Sequence, residues 1–262
     1  MNTTPSSPAA ATSAPLELWD FSFSMYPEKL RWALDFKKIP HRRHTLMPGP
    51  HALKLYPRFK QKSLPVLVSG DIVLKDSVPA LAWLEQKFPA PALLPNDPGL
   101  KVRALAVAKK FDALGPITRR ALFAELLPHA EYMAEVWSAG QPEAARTRYR
   151  AMFPWLVRPL MKLSMGITAA GAHDGRQHTR TALDFVAQHS RETGYLAGAR
   201  FTLADLTAAT ILATTVVPPE LGLPQPQPAG LLRWQAYWKG HPGLDYVRRI
   251  WRDHRGSSAA VP

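Results

Sequence analysis

The sequence predicts a chain in two parts: an α/β domain of order β-α-β-α-β-β-α over residues 16–89, then an all-α domain over 100–255. Three observations carry this. Short apolar or β-branched runs alternate with helical periodicity as far as residue 88. The stretch PAPALLPNDPG (89–99) is dense in Pro and turn formers, which sets a linker at 90–99. Beyond it, apolar residues recur only at helical spacing.

Each element follows from local pattern. LELWDF (16–21) is short and apolar, a buried strand. PEKLRWALDFKK (27–38) repeats Leu30, Ala33, Leu34 and Lys37 at helical spacing, with Pro27 suited to a first turn. HRRHTLM (41–47) forms a second strand, parallel to the first through a right-handed crossover. HALKLYPRFK (51–60) is a short helix that Pro57 interrupts. PVLVSGDIVLKDS (65–77) reads as two strands around a Ser69-Gly70-Asp71 turn. VPALAWLEQKF (78–88) is a helix, and the sheet is four-stranded. Helices are expected over 100–127, 143–165, 175–190, 203–217 and 229–252, and 256–262 as a tail.

Composition narrows the classes. Hydrophobic residues make up 46%, ample for a core, and no apolar run has the length of a membrane span. MNTTPSSPAAATSAP (1–15) lacks the basic and apolar regions of a signal peptide and reads as a flexible tail, so the cytoplasm is the expected compartment. The chain has no Cys, hence neither disulfides nor thiolate metal sites. The net charge of +13 suits anionic ligands, nucleic acid or acidic lipid, but no basic block of five or more occurs, and a solvated basic surface is favoured. No metal site is expected. His41 and His44 in HRRH, and His173 and His178 in HDGRQH, have no zinc-protease or zinc-finger spacing. GxGxxG, GxxxxGK[ST] and GxSxG patterns are missing too.

Two places suit recognition chemistry, although each taken alone reads as structure, a strand-opening Pro and a simple helix cap. Pro65 in SLPVL opens a strand; with a cis bond, Leu64 turns its N–H and C=O outward to pair with an extended peptide. Asp76-Ser77 ends a strand and starts a helix, with Ser77 as N-cap. The helix N-terminus favours a carboxylate and Asp76 an ammonium, which together suit the α-amino acid end of a peptide.

In combination these segments resemble the glutathione S-transferase family, of the cytosolic type with a Ser- or Cys-bearing catalytic loop and of bacterial character. SLPVLVSGDIVLKDS is similar to the family's cis-Pro and acidic-Ser motif within a thioredoxin-like domain. SMYPEKLRWAL resembles its catalytic-loop helix. YLAGARFTLADLTAATIL (195–212) resembles the signature of its helical domain, where Thr202 and Asp205 form a Thr-x-x-Asp capping box. The resemblance spans residues 16 to 252. It implies glutathione as co-substrate and a homodimer. Leu64 beside cis-Pro65 would pair with the cysteinyl part, Asp76 and Ser77 would hold the γ-glutamyl end, and Lys62 and His51 would meet the glycine carboxylate. QKSLP departs from the run common in the family.

The resemblance puts Ser24 at the catalytic position, with Tyr26 and Ser22 as alternatives. A serine there implies that the thiol arrives with the substrate: a hydroxyl and a helix N-terminus together hold glutathione as thiolate. The electrophile would lie against Met25, Tyr26, Phe111, Leu114, Arg119 and Phe123, with Tyr132 nearby; Arg119-Arg120 suits an anionic electrophile, but an exposed arginine pair also reads as a solvated face. The implied activity is a detoxifying transferase or peroxidase acting on a small hydrophobic electrophile. Two other readings stand beside it: a non-catalytic binder of glutathione or hydrophobic ligands, and a basic interaction protein that uses the fold as a scaffold to contact nucleic acid or acidic membrane.

Overall fold

The computed structural model describes residues 15–262, so the tail expected over 1–15 lies, but for its last residue, outside the described residues. Strand β1 (Leu16–Phe21) turns Leu16, Leu18 and Asp20 to a buried face and Glu17, Trp19 and Phe21 to the other. Helix α1 (Met25–Phe36) follows, then β2 (His41–Leu46), parallel to β1. After α2 (His51–Phe59), β3 (Val66–Ser69) and β4 (Ile72–Leu74) form a hairpin, and β3 runs antiparallel to β1. Helix α3 (Ser77–Lys87) closes this half. Helices α1 and α3 pack together, burying Leu30, Ala33, Leu34, Leu81 and Leu84. On the other face Leu55 and Phe59 of α2 meet Leu46, Val66 and Val68. Pro57 does not interrupt α2, whose nine residues continue through it.

The second half is helical: α4 (Pro98–Leu126), α5 (Ala130–Ser138), α6 (Glu143–Met152), α7 (Arg158–Ser164), α8 (Ala169–His189), α9 (Leu203–Val216), α10 (Ala229–Trp238) and α11 (Gly243–His254). Asp97 caps α4, accepting the Leu100 N–H at 2.8 Å, with Pro98 in the first turn. Helix α9 is buried on nearly all sides and packs on α4, α11 and α1, which joins both halves in one core.

Several boundaries differ from expectation. Helix α5 lies where none was expected. The run 143–165 is broken by a π-helical turn at Phe153–Val157, where Pro154 and then Pro159 supply no N–H to the ladder. The run 229–252 is two helices, because Gly240 takes φ +84° and Pro242 follows. Among the described residues the sheet has five strands, in the order β4-β3-β1-β2-β5. Strand β5 (Ala260–Val261), in the segment expected as a tail, pairs with His41 and Arg42. RGSSAAVP has no strand pattern; what seats it is Asp35, which accepts the Ala259 N–H at 2.8 Å and meets Arg255 at 2.8 Å. Among the described residues no helix is long and apolar enough to cross a membrane.

Candidate active site

Three hydroxyls cluster where β1 gives way to α1, and their surroundings separate them. Ser22 Oγ donates to the Val136 carbonyl at 2.8 Å. Tyr26 Oη donates to the Asp112 carbonyl at 2.8 Å. Burial, then the Asp112 carboxylate, pushes the Tyr26 phenol up to about 12, against the opposing pull of Arg119. Ser24 is the N-cap of α1 in extended conformation, and its carbonyl accepts the Glu28 N–H at 3.0 Å. Among the described residues its hydroxyl has no hydrogen-bond partner. Pro27 has no N–H, so Met25 and Tyr26 supply the free donors of the first turn.

The loop is held from both sides. Arg31, buried on α1, donates to the carbonyls of Phe21 (2.8 Å) and Ser22 (3.2 Å) while paired with Asp20 and Glu28. From α5 the Trp137 indole donates to the Phe23 carbonyl at 3.0 Å. One turn into α1, Lys29 meets Asp112 at 2.5 Å. Burial pulls the Lys29 ammonium down and pushes the Asp112 carboxyl up; their mutual attraction opposes both shifts.

Across the cleft the Leu64–Pro65 bond is cis. Leu64 lies just outside β3, and among the described residues its N–H and C=O form no turn or loop hydrogen bond. His51 Nε2 lies 2.9 Å from the Lys62 carbonyl, tying this loop to the start of α2; burial pulls the imidazole below its usual range. Asp76, not Ser77, is the N-cap of α3: its Oδ1 accepts the Val78 N–H and the Ser77 hydroxyl, each at 3.2 Å. Ser77 is the first residue inside the helix and fully buried, so its short hydroxyl turns back onto Asp76. Asp76 is exposed, and its charge reaches Lys29, Asp112 and Tyr26.

A cavity of about 550 Å³ joins these pieces. Ser22, Ser24, Met25, Tyr26, His51, Lys62, Leu64, Arg119 and Phe123 all line it. Pro65, Asp76 and Ser77 do not; Pro65 follows Leu64 in the chain, and Asp76 and Ser77 lie at the start of α3. Phe111 and Leu114, expected in the acceptor pocket, are absent from its wall: both face the core, where Phe111 is fully buried against Phe185. Tyr132 is elsewhere, donating to the Pro224 carbonyl at 3.1 Å. The apolar wall is completed by Trp137, Leu160, Met161 and Ile211, which the sequence reading missed. Their helical periodicity was the available signal, but it does not distinguish a core face from a cavity face. Further off, Thr202 and Asp205 form a reciprocal capping box at the start of α9.

A model of the glutathione S-transferase N-terminal domain matches residues 18–92, and one of the glutathione S-transferase C-terminal domain matches 143–244. The chain is 38% identical over 96 residues to glutathione S-transferase 1 of Dianthus caryophyllus, covering 34% of this chain and 41% of that protein. It is 32% identical over 132 residues to maleylpyruvate isomerase of Ralstonia sp, covering 48% and 58%. The chain therefore spans about half the length of these curated relatives. A solved glutathione S-transferase from Rhodospirillum rubrum F11 has the same fold, with a TM-score of 0.56 at 19% identity over 88% of this chain and 91% of that one.

Proposed function

This chain belongs to the glutathione S-transferase family, and we propose that it binds glutathione along Leu64 and activates the thiol at Ser24 for attack on a small hydrophobic electrophile. One observation carries the reading. Of the three hydroxyls at the start of α1, that of Ser24 alone is unpartnered among the described residues, and it lies in the wall of the cavity that Leu64 also lines.

The energetics are adequate. A free thiol has a pKa of about 8.5, so a thiolate at neutral pH needs a shift of about two units, or about 2.7 kcal/mol. A helix N-terminus contributes about 0.3–1 kcal/mol, and up to about 2 when partly buried. A hydroxyl donating to the anion adds about 1.5–3. Ser24 and the Met25 and Tyr26 amides offer both at one point. Leu64 would pair with the cysteinyl backbone, Asp76 with the γ-glutamyl ammonium through its free oxygen, and Lys62 with the glycine carboxylate. His51 holds the Lys62 loop in place. Hydrophobic acceptors would then occupy the wall formed by Phe123, Leu160 and Ile211.

The partners follow from the same reading: glutathione, an electrophile and a second copy of the chain. Exposed Val78 on α3 and Val102 and Leu105 on α4 supply apolar surface for a dimer contact. Sedimentation at micromolar concentration is expected to give a dimer, and a monomer would contradict it.

The deciding experiment is an ultraviolet titration of the thiolate in the glutathione complex. The wild-type midpoint should lie well below the free-thiol value. Ser24→Ala should raise it by about one to two units, or about 1.4–2.7 kcal/mol, with glutathione affinity nearly intact and the rate loss vanishing at high pH. An unchanged midpoint in Ser24→Ala removes Ser24 from this role.

A further inference from the structure

The two arginines of α4 that adjoin in sequence part company in the fold. Arg120 turns toward α8, where its guanidinium lies 3.9 Å from Asp174. Arg119 lines the cavity beside Met25 and Tyr26. Among the described residues Arg119 makes no ion pair or hydrogen bond, and its Nε is buried without a partner. Burial pulls its pKa down, against the help of Tyr26.

The cavity offers Arg119 no counter-charge of its own. The one acidic residue in its wall is Glu28, already bound by Arg31 at 2.6 Å and by Arg255 at 2.7 Å. Around Arg119 the lining mixes Leu122, Phe123 and Ile211 with the uncharged hydroxyls of Tyr26, Thr118 and Thr214. A guanidinium drawn partly out of water against apolar neighbours carries a desolvation cost that nothing in the cavity offsets. A planar five-donor fork of this kind suits a carboxylate or similar oxyanion.

We infer that Arg119 selects an acceptor substrate with an apolar body and an anionic group, the anion seated on the Arg119 guanidinium and the body against the α4 and α9 side chains. The acceptor's position rests on the proposed glutathione reading; its charge does not. Lys62 and His51 belong to the α/β half, on the cavity wall proposed for the glycine end of glutathione, which leaves Arg119 as the cation on the acceptor side.

The test compares two aryl chlorides, 4-chloro-3-nitrobenzoate and the neutral 1-chloro-2,4-dinitrobenzene. In each, the glutathione thiolate, its proton already lost to solvent, attacks the ring carbon that bears chlorine. A C–S bond forms, the C–Cl bond breaks, and chloride leaves with the bonding pair. The quantity read is the ratio of kcat/KM for the acid to that for the neutral compound. Arg119→Gln should lower this ratio by about tenfold or more, the loss of one charge-assisted contact. Arg119→Lys should retain part of it, and Arg120→Gln should leave it unchanged. A ratio unmoved by Arg119→Gln, as expected if Arg119 acts on the thiolate or on glutathione itself, overturns the inference. A second arm needs no glutathione. By calorimetry, 3-nitrobenzoate should bind the free protein more tightly than nitrobenzene, and Arg119→Gln should abolish that margin. Equal binding of acid and neutral compound, or a margin that survives the substitution, overturns the inference. Because this arm is independent of thiol chemistry, it separates failure of the anion site from failure of the glutathione reading.

Discussion

Tyr26 donates its phenol to the backbone carbonyl of Asp112 at 2.8 Å, and so fastens the first turn of α1 to the middle of α4. Gly115 makes the approach possible. A Cβ there would lie 2.6 Å from Tyr26 Oη, 2.9 Å from Met25 Sδ and 3.1 Å from Ile211 Cδ1. Helix propensity alone would favour Ala at this position by about 0.5–1 kcal/mol. The overlap should outweigh that, because Tyr26 is held at both ends. Gly115→Ala is expected to destabilise by about 1–3 kcal/mol in urea unfolding and to raise the pKa of the bound thiol as Ser24 moves. Wild-type stability and thiol pKa together would show that α1 is not positioned through this contact.

Asp76 has one task in the fold and another in the proposed site, and a single substitution can separate them. As N-cap of α3 it accepts the Val78 N–H, and as a carboxylate it would face the γ-glutamyl ammonium. Asn keeps the cap, since Asn and Asp cap about equally well, and removes the charge. Asp76→Asn should leave the melting temperature nearly unchanged and weaken glutathione binding by about tenfold or more. Wild-type glutathione affinity in a calorimetric titration would remove Asp76 from the site.

Asp205 does more than cap a helix. Its buried carboxylate accepts the N–H of Thr202, the hydroxyl of Thr202, the N–H of Leu196 and the hydroxyl of Tyr246, all at 2.9 Å. It thereby joins α9 to the preceding loop and to α11. Loss of a cap costs about 0.5–2 kcal/mol, but Asp205→Ala leaves several buried donors unpaired at about 1–3 kcal/mol each. Thermal unfolding should register at least about 3 kcal/mol, with the glutathione affinity of the folded fraction unchanged. A loss within the range of a cap alone would mean that the Leu196 and Tyr246 contacts contribute nothing.

Stability should fall on mild acidification. His41 is fully buried, with Nδ1 3.0 Å from the Ile39 carbonyl and Nε2 unpartnered among the described residues. Burial pushes its imidazole below the usual range by more than the Ile39 carbonyl raises it, and burial lowers His51 and His254 too. The unfolded chain, with histidines near about 6.5, therefore takes up protons first. The stability contributed by neutral His41 is full above about pH 6.5 and is lost as pH falls through the lower folded value. Unfolding free energies measured from pH 7 to pH 5 should decline, and His41→Gln should flatten the decline. Identical slopes for the two proteins would contradict this role.

What the sequence determined by itself was whatever short-range pattern encodes. The alternation in LELWDF, the helical spacing of Leu30, Ala33 and Leu34, the Gly70 turn and the Thr202–Asp205 box each involve residues a few positions apart, so the β-α-β-α-β-β-α order and the cis-Pro and acidic-Ser motif were legible. The tertiary structure decided what depends on partners far along the chain. Ser22 and Tyr26 are spent on carbonyls 114 and 86 residues away, which leaves Ser24 as the one hydroxyl of the three without a partner among the described residues. Phe111 and Arg119 share one helix, yet one enters the core against Phe185 of α8 and the other the cavity that Ile211 of α9 also lines. Strand β5 forms in a segment without strand character because Asp35 and the open edge of β2 receive it. Periodicity fixes which residues share a face; what covers that face is set only when distant elements pack against it.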